Sequence, residues 1–275
     1  MNFPVYISIG NWHLHPHILF EALGYAIAFR LLLLNCRQDN IPFNQRSSVM
    51  VGGILGAIVG AKILVLLQHI NLFWENWQYF LLLLLQGKTV VGGLIGGLIG
   101  VEITKKIIGV KRSTGDAFVY PLLIGTAIGR IGCFLTGLND KTYGIPTSLP
   151  WGINFGDGIT RHPTQIYEII FIIMLIFYLN FRNQYYIRAG ELFRFYMISY
   201  LGFRLIIDFI KPEYHLLLGL SAVQLACLIC LIYYLPHIPN LFKFQDKNTQ
   251  IYLDNQKEYH SWVEEQNPNN PKLKI

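Results

Sequence analysis

Apolar residues gather into long runs separated by short polar breaks. Several runs reach about 18–20 residues, the length a helix needs to cross a bilayer. A sliding hydropathy window predicts seven spans, at about 17–35, 48–68, 89–104, 116–136, 164–181, 191–210 and 216–235. One further apolar stretch, FWENWQYFLLLLLQ at 73–86, is interrupted by Glu75 and Asn76. Its tryptophans suit the headgroup level, so it reads as an interfacial segment or a half-helix. The pattern predicts an all-α polytopic membrane protein. Residues 1–244 form the bundle, and 245–275 form a polar tail expected to be disordered. The segment 137–163, rich in Gly, Pro, Asn and Asp, reads as a small loop structure between spans.

Composition agrees with this reading. Charged residues make up 14% of the chain and hydrophobic ones 53%, where a soluble domain carries about 25% charged residues. The mean hydropathy is +0.39. The net charge of +6 reads as topological and not as a nucleic-acid surface, because the lysines and arginines fall in short loops. No positive charge precedes the first span. Arg37 and Arg46 follow it, Lys105, Lys106, Lys111 and Arg112 follow the third, and Arg182 and Arg188 follow the fifth. That alternation predicts an outside N-terminus, a cytoplasmic C-terminus and an extracytoplasmic 137–163 segment. The first fifteen residues hold no lysine or arginine and no long apolar core, so the first span is expected to serve as its own insertion signal. Of Cys36, Cys133, Cys227 and Cys230, three fall inside apolar runs, which reads as packing and not as a disulfide framework.

Two arginines interrupt the apolar pattern. Arg130 lies in LLIGTAIGRIGCFLTGLND and Arg204 in YMISYLGFRLIIDFIKPE. A charge at mid-membrane costs roughly 2.5–3.5 kcal/mol on insertion scales. Arg30 and Arg194 can snorkel to the cytoplasmic side. Arg130 lies seven residues before Gly137 and Arg204 seven before Lys211, about 10 Å deep at 1.5 Å per residue. Two guanidiniums at one depth suit a shared anion, since each offers a rigid two-donor fork that stays charged. The anion most available there is a phospholipid phosphate. The competing reading pairs each arginine with a carboxylate: Asp208 lies four residues after Arg204, and Glu21 and Glu168 lie near the outer ends of their spans.

Three other patterns bear on chemistry. HLHPH places His13, His15 and His17 at alternate positions, as an interfacial cluster or a metal site. RHPTQIYE places Arg161, His162, Gln165, Tyr167 and Glu168 at the start of the fifth span, with Pro163 suited to a helix start. Gly52, Gly53, Gly56 and Gly60, and Gly92, Gly93, Gly96, Gly97 and Gly100, make small-xxx-small spacings that let helices or a lipid approach the backbone.

At these residues the sequence resembles the prolipoprotein diacylglyceryl transferase family. GRIGCF at 129–134, HPTQIYE at 162–168, YLGFRLIIDFIKPE at 200–213, GLSAVQ at 219–224 and GGLIGGLIG at 92–100 resemble that family's blocks, in family order. The resemblance implies a multi-pass enzyme of the bacterial plasma (inner) membrane. Such an enzyme moves diacylglyceryl from phosphatidylglycerol to a lipobox cysteine thiol on a prolipoprotein signal peptide, without a metal or organic cofactor. Arg130 and Arg204 match family arginines that hold the lipid phosphate, and Glu168 and His162, at the start of the fifth span, complete the candidate catalytic set. Gly129, Gly132, Gly144, Gln165, Tyr200, Gly92 and Gly93 would line the lipid site together with the arginines. Three departures stand out: Cys133 replaces a usual Asn, Thr136 and Leu138 replace a usual Asn and Glu, and Val91 replaces a usual His. Valine cannot accept a proton, which leaves Glu168, Glu21, His162 and His17 as candidate bases. A paralogue using another thiol acceptor, and a non-catalytic phospholipid-binding or transport protein, are the alternatives.

Overall fold

A computed structural model describes residues 3–9, 12–36, 42–185, 188–212, 215–217 and 219–241. The tail 245–275 lies outside them. The described chain is mostly helical. A two-stranded hairpin, β1 (Ile7–Ile9) and β2 (Trp12–Leu14), leads into α1 (Pro16–Cys36) and α2 (Phe43–Gln68). Two short helices follow, α3 (Ile70–Glu75) and α4 (Trp77–Gln86), then α5 (Val90–Ile108) and α6 (Val119–Thr136). A hairpin, β3 (Ile153–Asn154) and β4 (Thr160–Arg161), precedes α7 (Thr164–Arg182) and α8 (Glu191–Ile207). The strands β5 (His215–Leu217) and β6 (Leu220–Ser221) lead into α9 (Ala222–Tyr234) and the single turn α10 (Ile238–Leu241).

Four helical segments are long and apolar enough to cross a membrane: Pro16–Asn35, Asn44–Gln68, Gly115–Asp140 and Thr164–Arg182. A fifth arises if Trp77–Leu85 and Val90–Ile108, which meet at 65°, form one broken span. The stretch at 73–86 is therefore helical, but kinked away from the helix that follows. The expected spans at 191–210 and 216–235 appear as shorter helices. In α8 the helix ends at Ile207 in a 3-10 turn. In α9 the chain is still in strand at 215–217 and 220–221, and helix begins only after Ser221. A reciprocal capping box made by Ser221 and Gln224 fixes that start.

Small residues set the helix pairs. Methyl groups added at Gly56, Gly60, Gly96 or Gly100 would collide with backbone carbonyls of the facing helix, so α2 and α5 meet backbone to backbone. The same logic joins α1 to α6, where a Cβ at Gly24 would come within 2.9 Å of the Gly125 carbonyl oxygen. The remaining helices pack through large side chains. Tyr196, Met197, Tyr200 and Leu201 of α8 are sealed with Leu123, Ile172, Leu179 and Cys227. Phe171 stacks on Phe203 at 4.3 Å and Tyr178 on Phe195 at 4.7 Å. Outward faces stay apolar, as with Ile54, Leu55, Ile58 and Val59 on α2 and Met174 and Phe177 on α7. Such patches are costly in water and suited to lipid.

Between α6 and α7 the chain makes a compact cap. Gly137 takes φ +69°, a conformation glycine adopts cheaply, and turns the chain back over the end of α6. Phe155 is buried against Phe3, Phe134 and Tyr143, which ties the β3–β4 hairpin to that end. Asn154 accepts from the Gly156 and Gly158 amides, and Arg161 grips Asp157 through both guanidinium nitrogens at 2.7 and 2.6 Å.

Candidate functional site

The two arginines face each other across a shared carboxylate. Arg130 comes from α6, Arg204 from α8 and Glu168 from the second turn of α7, and all three are at least nine-tenths buried. Glu168 Oε2 lies 2.8 Å from Arg130 Nε and 3.7 Å from Arg204 Nη1. Glu168 Oε1 accepts a hydrogen bond from the Tyr200 hydroxyl at 2.6 Å. One turn beyond Arg204, Asp208 Oδ1 accepts from Arg204 Nη2 at 2.9 Å and lies 3.4 Å from Lys211 Nζ. The expectation of carboxylate partners holds for Glu168 and Asp208, and not for Glu21; the two arginines meet at Glu168. With Lys211 protonated, three cations face two carboxylates. Each charge is too costly to bury alone, so the five groups form a single interdependent network.

A second polar cluster adjoins the first through Cys133. Arg130 Nη1 lies 3.8 Å from the Cys133 sulfur. On the far side of that sulfur are His17, at the start of α1, and Asp140, in the turn after α6. One ligand atom from each of His17, Cys133 and Asp140 falls within 4.8 Å of the other two. His17 Nδ1 is 2.8 Å from Asp140 Oδ1, and its Nε2 is 3.4 Å from Glu21 Oε2. Glu21 also accepts from Tyr25 at 2.9 Å and pairs with Lys88. Asp140 Oδ2 accepts from Thr142 at 2.5 Å, and Thr142 accepts from Gln165 at 3.0 Å.

The prolipoprotein diacylglyceryl transferase pattern matches residues 4–238. The chain belongs to the prolipoprotein diacylglyceryl transferase family. It is 32% identical over 218 residues to the phosphatidylglycerol–prolipoprotein diacylglyceryl transferase of Pasteurella multocida, covering 76% of this chain and 78% of that one. It is 32% identical over 220 residues to the enzyme of that name from Clostridium tetani, covering 76% and 86%. The Thermotoga maritima relative of that name is 25% identical over 238 residues, covering 82% and 80%.

Within this diacylglyceryl transferase chain, the residues expected at the site separate into groups. Arg130, Arg204, Glu168 and Tyr200 meet directly. A Cβ at Gly129 would touch nothing within 4 Å, so no neighbouring helix packs against that position. Gly132 lets α6 approach α1, since a Cβ would come within 2.7 Å of the Phe20 Cβ. Gly144 fits between His162 and the Ile210 carbonyl. Gln165 joins the Asp140 cluster through Thr142. His162 turns Nδ1 to the Tyr167 hydroxyl at 3.2 Å, and Tyr167 accepts from Trp151 at 2.9 Å. Gly92 is packed against Gly60 and Leu64, while Gly93 faces Ala57 and Ala61, so both lie on the α2–α5 seam. Lys211 was missed by sequence reasoning as a network member. Its one signal was the i, i+3 spacing from Asp208.

Proposed function

We propose that this transferase holds the phosphate of phosphatidylglycerol at Arg130 and Arg204 and moves the diacylglyceryl group to a thiol on a prolipoprotein signal peptide. The observation that carries the reading is the convergence of two buried arginines from different helices on one carboxylate. With Lys211 protonated the network keeps one positive charge in excess, which matches the single negative charge of a phosphodiester. The acceptor sulfur attacks the glyceryl carbon, the carbon–oxygen bond to phosphate breaks, and glycerol phosphate leaves with a second charge developing on it. Fixed guanidiniums stabilise that developing charge without reorganising. Tyr200 and Asp208 keep the guanidiniums aimed. In this reading α8 and α9 join the longer helices as membrane spans. The bundle then has seven spans in the bacterial inner membrane, its N-terminus outside and the arginines below the outer surface.

Expression in cells depleted of their own transferase tests this. Thioether-linked diacylglyceryl on a lipobox reporter is expected from the intact chain and not from Arg130→Ala. No modification at verified expression would overturn the reading. Loss of phosphatidylglycerol without reporter modification would instead point to another acceptor. That second reading is favoured by Val91, which is fully buried in the cluster that holds Tyr200, where the family usually has a histidine. Phospholipid that co-purifies without turnover, and is lost in Arg130→Ala, would indicate a binding protein.

A further inference from the structure

The reaction needs a group to take the acceptor's proton and a route by which that proton leaves. Val91 offers neither. Glu168 is poorly placed for both: Tyr200 and two guanidiniums occupy its oxygens, and only 3% of its side chain is exposed. His162 is turned to Tyr167. His13 is bonded to Ser8, and His15 packs edge-on against Tyr6.

A different series of groups begins at the arginine site and ends at water. Arg130 Nη1 lies 3.8 Å from the Cys133 sulfur, and an Asp140 carboxylate oxygen lies within 4.8 Å of that sulfur. Asp140 Oδ1 faces His17 Nδ1 at 2.8 Å, and His17 Nε2 faces Glu21 Oε2 at 3.4 Å. The series opens outward. Side-chain exposure is 7% at Asp140, 28% at His17 and 24% at Glu21, and Lys88, paired with Glu21, reaches 47%. The imidazole therefore has a carboxylate at each ring nitrogen. A proton that arrives on one nitrogen releases another from the second, so the ring passes a net proton without turning. Chains of Asp, Glu and His carry protons in this way where a membrane excludes water.

The fold holds the series in register. His17 and Glu21 are four residues apart on one face of α1. Gly132 lets α1 close on α6, which brings His17 to the turn that carries Asp140. Thr142 donates to the second Asp140 oxygen and accepts from Gln165, which aims the carboxylate. Two donors still leave that carboxylate with lone-pair sites to spare.

We propose that Asp140, His17 and Glu21 form a proton relay that takes the acceptor thiol's proton from the arginine site to the aqueous edge. The relay rests on the transferase reading. Asp140 accepts the proton from the thiol, His17 takes it on Nδ1 and gives one up from Nε2, and Glu21 passes it to water. The sulfur–carbon bond forms as the carbon–oxygen bond to phosphate breaks, and the electron pair leaves on the glycerol phosphate held by Arg130 and Arg204. No oxidation or reduction occurs. Asp140 is the catalytic residue of the three, because it alone meets the reacting thiol; His17 and Glu21 act through it.

The test uses the full chain in detergent, with phosphatidylglycerol micelles and a lipobox cysteine peptide as substrates. Initial rates are read at pH 7 and at about pH 9.5, where a thiol of ordinary pKa near 8.5 ionises by itself. His17→Gln and Asp140→Asn should each lower kcat at least about 100-fold at pH 7, with KM for phosphatidylglycerol unchanged. Each should return to within about tenfold of the parent chain at the higher pH, since an ionised acceptor needs no relay. Glu21→Gln should cost only about tenfold at pH 7, because water reaches that edge. His17→Gln with parental kcat at pH 7, or with the same loss at both pH values, overturns the relay and leaves the transferase reading standing; an equal loss at both would mark a purely structural role. A parent chain that modifies no peptide at either pH overturns the transferase reading, and the relay with it.

Discussion

The two polar clusters sit side by side and are built on opposite principles. Around Glu168 the charged groups are sealed and matched to one another, with Tyr200 and Asp208 fully buried. Around His17 the cluster opens at one edge, with 28% of the His17 side chain and 24% of Glu21 exposed, while Cys133 and Asp140 are covered. The first can hold fixed charge in place because water cannot compete for it. The second can exchange protons because water reaches its His17–Glu21 edge. One α6 helix serves both, offering Arg130 to one and Cys133, three residues on, to the other.

That contrast can be broken experimentally. The largest effect is expected at Glu168. Glu168→Gln leaves two buried guanidiniums without their shared counter-ion and should cost about 3–5 kcal/mol. Thermal melting in detergent should fall sharply and reporter modification should vanish. A melting temperature near that of the parent chain would show that the network does not depend on this carboxylate. Tyr200→Phe removes one hydrogen bond to a charged acceptor and should cost about 1.5–3 kcal/mol. Its signature would be lost turnover with the arginines still able to retain phospholipid. Glu21→Gln, in the open cluster, should lower stability by no more than about 1 kcal/mol, as partly exposed ion pairs do. A larger loss there would erase the distinction between the clusters.

The smallest effect concerns pH and the β3–β4 hairpin. Arg161 holds the Asp157 carboxyl down at about 2, from an ordinary 3.8. The ion pair therefore contributes fully above the ordinary value and is lost as pH falls through about 2. Amide exchange at Ile159, which donates to Asp157, should quicken only in that acid range. In Asp157→Asn the same amide should show no such step.

Much of the bundle could be read from runs and caps. The apolar periods located α1, α2, α6 and α7, since a bilayer imposes one length on every crossing. The equal spacing of Arg130 from Gly137 and of Arg204 from Lys211 was countable. The α8–α9 region was less legible, because hydropathy does not separate a short strand such as 215–217 from the start of a helix. HLHPH shows the limit most plainly. Alternation implied one cluster, but the chain changes from strand to helix at Pro16, which sends His17 away from His13 and His15.

The sequence alone determined which segments prefer lipid, where glycine permits helices to touch, and how far each of the two arginines lies from the end of its apolar run, because each follows from local length and composition. Only the tertiary structure decided that both arginines share Glu168 and that Lys211 closes the network. The meeting of His17, Cys133 and Asp140 was likewise decided there. Those groups are brought together by helix pairing between segments distant in sequence, more than a hundred residues in the case of His17, and no local pattern encodes which faces of α1, α6, α7 and α8 turn toward one another.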